Sequence, residues 1–93
     1  MGEYLLTVVP SNEILADLKK AKYDQRNLSK FKTTVNLLAK GIKLPRSYRD
    51  HDLKGKWIGF RELHIDPDWL LIYWIDGEKL RLIRLGTHDE LFT

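Results

Sequence analysis

The chain predicts an α+β domain: an N-terminal strand, a two-helix hairpin, then a three-stranded antiparallel meander, with both helices packed on one side of the sheet. Three observations predict it. Residues 69–75 (Trp-Leu-Leu-Ile-Tyr-Trp-Ile) are apolar without a break and rich in aromatic and β-branched types, as expected of a strand buried in a core. Leu28, Phe31, Val35 and Leu38 recur at the spacing of an amphipathic helix. Asp66-Pro67-Asp68 and Asp76-Gly77 are turn signals that fold the neighbouring strands back on residues 69–75.

Each element has its own local reason. Residues 4–9 form a short strand that Pro10 ends, since proline has no N–H to give a ladder. Ser11 caps the first helix, whose apolar positions are Ile14, Leu15, Leu18 and Ala21, with Lys19, Lys20 and Lys22 late enough to suit its dipole. Residues 25–27 break it, Asn27 caps the second helix, and Gly41 closes that helix. Residues 43–56 lack periodicity and read as a long basic loop, a kind that is often functional in small domains. Strands 57–65, 69–75 and 79–85 follow, and Thr87 caps a last helical turn within residues 86–92.

Ninety-three residues at 43% hydrophobic bound the chain to one domain, 1–93, with one core. The absence of Cys removes disulfides, thiolate chemistry and Cys-based zinc sites. No apolar run approaches the roughly 20 residues that cross a bilayer, and residues 1–6 carry no basic leader or long apolar stretch, so a cytoplasmic protein with no membrane partner is expected. Net charge is only +3, but residues 19–56 hold twelve Lys and Arg against three acids, whereas residues 57–93 hold four against seven. The first block is either the footprint of a polyanion partner or a pair of solvated helix faces.

All three histidines fall in the second half: His51 in the basic loop, His64 on a core strand and His88 after the last strand. Glu62 is two residues from His64 and so shares its face of the strand, Asp68 lies just past the turn, and Arg84 ends the last strand. No His-x-His or His-x-x-x-His pairing is present, so neither a metal nor a cofactor is expected. RNA cleavage uses these groups without one. A base removes the 2′-OH proton, an acid protonates the leaving 5′-oxygen, and cations hold the phosphorane, with histidine able to fill either proton role at neutral pH. Arg61 and Arg84 are candidate cations, and Phe92 is a candidate platform for a base.

The block from Tyr48-Arg-Asp-His-Asp-Leu through Phe60-Arg-Glu-Leu-His-Ile-Asp-Pro-Asp-Trp to Tyr73, followed by Arg84-Leu-Gly-Thr-His-Asp-Glu-Leu-Phe92, closely resembles the YafQ-type toxins of the RelE superfamily. The resemblance is specific over residues 45–92 and extends to the helical half as element order alone. It implies a RelE-like fold and a type II toxin endoribonuclease that cleaves mRNA in the ribosomal 30S A site and is neutralised by a cognate antitoxin. Contact with DNA would come only through that antitoxin. Residue by residue it implies catalytic roles for His51, His64, Asp68 and His88. Glu62, which stands where some members have Asp, is implied as the orienter of a neighbouring imidazole or as a partner of Arg61. RNA contacts are expected from Arg49, Lys54, Lys56, Arg61, Arg84 and Phe92. Two other readings stay open on the residues alone: an RNA- or ribosome-binding module that blocks translation without catalysis, and an inactive relative that serves as a protein-interaction domain.

Overall fold

Helix and strand boundaries follow the caps and turns closely. The computed structural model describes residues 5–92. Its elements are β1 (Thr7–Pro10), α1 (Asn12–Tyr23), α2 (Leu28–Ala39), β2 (His51–Asp52), β3 (Arg61–Asp66), β4 (Trp69–Asp76), β5 (Lys79–Gly86) and α3 (His88–Phe92), with single 3-10 turns at Arg46–Tyr48 and Gly55–Trp57. Ser11 Oγ accepts the Ile14 N–H at 3.0 Å and donates to the Ile83 carbonyl at 2.7 Å, so the cap of α1 also pins that helix to β5. Asn27 Oδ1 accepts the Lys30 N–H at 3.0 Å and starts α2. Gly41 leaves α2 at φ 72°, the left-handed exit that favours glycine.

The five strands lie in the order β1-β5-β4-β3-β2, with β1 parallel to β5 and every other pair antiparallel. The expected meander is present as β3-β4-β5, but the sheet is mixed and has a fifth strand. Position 4 of the expected first strand lies outside the described residues. Pro10 belongs to β1 rather than ending it, as an edge strand allows.

Both long helices cover one face. Ile14 and Ala21 of α1 and Phe31, Val35 and Leu38 of α2 pack on Leu63, Ile65, Trp69, Leu71, Tyr73, Leu80, Leu82 and Leu85. Full burial of each Leu or Ile contributes about 1.5–3 kcal/mol relative to leaving it exposed. The other face carries a smaller cluster: Leu70, Ile72 and Leu91, flanked by Leu53, Trp57, Phe60, Ile83 and Phe92. That second layer is built by the loop before β3 and by α3. Among the described residues no helix is long and apolar enough to cross a membrane.

Four local expectations need correction. The strand expected from residue 57 begins at Arg61, because residues 57–60 form a turn closed by the Phe60 N–H on the Trp57 carbonyl at 3.0 Å. Ile58 (φ −57°, ψ 135°) and Gly59 (φ 95°) give it type II geometry, which calls for glycine at its third position. The basic loop is less irregular than its composition, since it contains two 3-10 turns and β2. In β4 burial stops at Tyr73, and Trp74 and Ile75 are exposed. The two-residue hairpin loop is Gly77-Glu78, with Asp76 paired to Lys79.

Candidate active site

The sheet face away from α1 and α2 carries His51, Glu62 and His64. Leu63 and Ile65 point to the helices, so by alternation Glu62 and His64 point to the opposite face. In the ladder His51 stands opposite Glu62, Glu62 opposite Ile72, and His64 opposite Leu70. His51 is therefore diagonal to His64 across adjacent strands, a separation of roughly 7–8 Å.

His51 and Glu62 meet directly. Nε2 of the imidazole is 3.0 Å from Glu62 Oε2, and Nδ1 donates to the Arg49 carbonyl at 2.6 Å. Only one ring nitrogen can be unprotonated, and the carbonyl can only accept, so Nδ1 carries its proton. Nε2 faces the Glu62 carboxylate at hydrogen-bond distance. Glu62 is 6% exposed, and its second oxygen, Oε1, is buried with no hydrogen-bond partner. Arg49 holds a left-handed backbone, φ 50°, and this turns its carbonyl toward the ring.

The remaining groups form a chain along the end of the sheet. His64 Nδ1 donates to the Pro67 carbonyl at 3.3 Å, which leaves Nε2 as the lone-pair nitrogen of the neutral ring. Asp68 follows Pro67, and its Oδ1 accepts the His88 backbone N–H at 3.1 Å. His88 begins α3, and its ring packs against Phe92 with centroids 5.0 Å apart. Phe92 in turn meets the edge of Trp57 at 6.0 Å. A cleft of about 280 Å³ beside this row is lined by His64, Pro67, Arg49, Tyr48 and Lys30.

α3 is anchored at its start. Thr87 N–H donates to Glu90 Oε1 at 2.8 Å, and Glu90 N–H donates to Thr87 Oγ1 at 3.2 Å, a reciprocal capping box. Glu90 Oε2 also meets Lys20 Nζ of α1 at 2.9 Å. The Thr87 N–H first, and Lys20 next, hold the Glu90 carboxyl down at about 2.

Two residues expected to meet RNA are committed elsewhere. Arg84 donates to both oxygens of Asp17 on α1, through Nε at 2.8 Å and Nη2 at 3.2 Å, and Asp17 holds its pKa above the ordinary value. Asp17 also accepts the Leu85 N–H at 2.9 Å, so this is a joint between α1 and β5. Arg61 donates to Asp50 (3.2 Å), Asp52 (2.6 Å) and the Tyr73 hydroxyl (3.2 Å), not to Glu62. Burial pulls the Arg61 pKa down, but the bonds to Tyr73 and Asp50 outweigh it and hold it up. Arg49, Lys54 and Lys56 are exposed, and Phe92 is half-buried. Sequence reasoning missed Asp50 and Tyr73. The acids alternating around His51 were a signal for the first, whereas the hydroxyl of Tyr73 was hidden in an apolar run.

The chain matches the family described as the bacterial toxin of type II toxin-antitoxin system, YafQ, over residues 6–93. It is 40% identical over 83 residues to the mRNA interferase toxin YafQ of Escherichia coli K12, covering 88% of this chain and 90% of that protein. The crystal structure of the E. coli DinJ-YafQ toxin-antitoxin complex superposes with a TM-score of 0.88 at 37% identity, covering 96% of this chain and 99% of the matched one. A metal-bound toxin from Helicobacter pylori is similar at TM-score 0.88 and 40% identity, covering 94% and 99%. Among the described residues no three His, Asp or Glu side chains gather into a set that would hold a metal.

Proposed function

The chain belongs to the YafQ family of bacterial type II toxins, and we infer that it works as its characterised relatives are named: an mRNA interferase, an endoribonuclease toxin neutralised by a cognate antitoxin. Its substrate is mRNA positioned in the ribosomal A site, and the cut follows attack by the 2′-OH.

The observation that carries this reading is the row His51–Glu62, His64–Pro67, Asp68–His88 on one sheet face. His64 serves as the base, because Nδ1–H is tied to Pro67 and Nε2 is left to take the 2′-OH proton. The 2′-oxygen then bonds to phosphorus, and the bond from phosphorus to the 5′-oxygen breaks. His88 gives the leaving oxygen a proton, its backbone held by Asp68 and its ring by Phe92. The products are a 2′,3′-cyclic phosphate and a 5′-hydroxyl. His51, with Glu62 behind it, presents positive charge where the phosphorane develops. Arg49, Lys54 and Lys56 hold the backbone and Phe92 the base.

Induced expression of wild type and the His51→Ala, His64→Ala and His88→Ala variants, with mRNA 5′ ends mapped by primer extension, tests the reading. Wild type generates new ends in frame with translated codons, and each variant loses them by about 10²–10⁴-fold. Growth arrest without new ends would replace catalysis with a binding module that blocks translation.

A further inference from the structure

His51 and Asp52 alternate along β2, and Asp50 just before it meets the same Arg61 side chain as Asp52, so the two carboxylates lie on one side and the imidazole, against Glu62, on the other. Arg61, paired with Asp52 in the ladder, reaches both acids: Nε lies 3.2 Å from Asp50 Oδ1 and Nη1 lies 2.6 Å from Asp52 Oδ1. Behind it stands Tyr73, opposite Arg61 on β4, whose hydroxyl donates to Asp50 at 2.6 Å and accepts from Arg61 Nε. One guanidinium thus bridges the residues on either side of His51.

β2 needs such a device. It has two ladder pairs, His51 with Glu62 and Asp52 with Arg61, and lies at the edge of the sheet. Two pairs specify register weakly, and a slip of one residue would turn His51 to the helix side. The bridge resists that slip, because Asp50 and Asp52 cannot both reach Arg61 from the opposite face.

We propose that Arg61, backed by Tyr73, is a positioning residue for RNA cleavage: by holding Asp50 and Asp52 it sets the roll of β2 and aims His51 at Glu62 and the reacting face. The proposal rests on the reading of His51 as a catalytic group. The rival role for Arg61 is a phosphate contact in the cleft of about 710 Å³ that it lines with Arg46 and Arg49, and that role makes the opposite predictions.

The test is steady-state cleavage on programmed ribosomes by full-length wild type, Arg61→Lys, Tyr73→Phe and Asp52→Asn, combined with ¹⁵N spectra of the histidine rings. Positioning lowers kcat about tenfold to a hundredfold in each variant with KM nearly unchanged, and it moves the His51 ring resonances while those of His88 stay in place. A phosphate contact instead raises KM in Arg61→Lys at constant kcat. It also lowers KM in Asp52→Asn, where a carboxylate competitor is removed, and leaves the His51 resonances unmoved. That pattern overturns the proposal. Asp52 is exposed, so its variant keeps the question answerable if Tyr73→Phe fails to fold. His51→Ala is run alongside. If it cleaves like wild type the catalytic reading fails, while the ring spectra still report whether Arg61 aims the imidazole.

Discussion

Glu62 Oε2 lies 3.0 Å from His51 Nε2, and Oε1 of the same carboxylate is buried with no partner. One oxygen is satisfied by an imidazole on the neighbouring strand, and the other bears its desolvation uncompensated. An unsatisfied buried acceptor costs about 1–3 kcal/mol. The carboxylate stays inside because β3 places residue 62 on the same face as His64, beside Ile72.

Glu62→Gln keeps the size of the side chain and removes its charge. The His51 ring then loses the anion that balances it, and cleavage falls by about 10²-fold, the lower end of acid–base losses. Single-turnover cleavage checks this, with circular dichroism to show an unchanged fold.

Asp17→Ala removes three hydrogen bonds at once, two from Arg84 and one from the Leu85 N–H. The joint between α1 and β5 is mostly shielded from water, so stability falls by about 2–3 kcal/mol. A urea titration checks it, the midpoint dropping with the slope preserved.

The anchor of α3 depends on pH. The folded-state pKa of Glu90, about 2, lies below its ordinary 4.5, so its contribution is fully present above 4.5 and is lost as pH falls from there toward 2. Lys20 is shifted upward, chiefly by its bonds to Asp24 and Glu90, so its contribution is complete below its ordinary 10.5 and is lost only at higher pH. Amide exchange of Leu91, whose N–H bonds the Thr87 carbonyl, speeds up as pH is lowered through that acid window relative to core amides of β4. Glu90→Gln abolishes the difference.

Gly59→Ala tests the turn before β3. No atom lies within 4 Å of where the new Cβ would sit, so the whole penalty is backbone strain at φ 95°. A loss of about 1–2 kcal/mol is expected. The Phe60 amide, bonded to Trp57 across that turn, exchanges faster than in wild type.

Much of this fold is legible in the sequence because its signals are local. Ser11 and Asn27 cap their helices through side chains a few residues from the N–H groups they satisfy, and Gly77 marks a turn that needs positive φ. The parallel pairing of β1 with β5 is not legible, since it joins Thr7 to Lys79 and is decided by how the helices cover the sheet. β2 has two residues, too few to show a period. In the site, Glu62 and His64 share a face by simple alternation, but the partner of Glu62 comes from eleven residues away. The charge of Arg84 says nothing of Asp17, the carboxylate that meets it from α1, 67 residues away in the sequence. Positive charge marks a candidate for phosphate only until a carboxylate is found to hold it.

The parallel pairing of β1 with β5 makes the order of synthesis differ from the order of assembly. β1, α1 and α2 leave the ribosome first, yet the strand that β1 pairs with, and much of the sheet the helices cover, comes from residues 61–86. Until then Ile14, Phe31 and Val35 have little to pack against, and a newborn chain carries an open apolar face. α3 is the last element made, when Asp68 is already in place to accept the His88 N–H and Lys20 to meet Glu90. A half-made chain of this kind has not yet gathered His51, His64 and His88 on one side of the sheet, so the ribosome translating it meets only an unfinished protein.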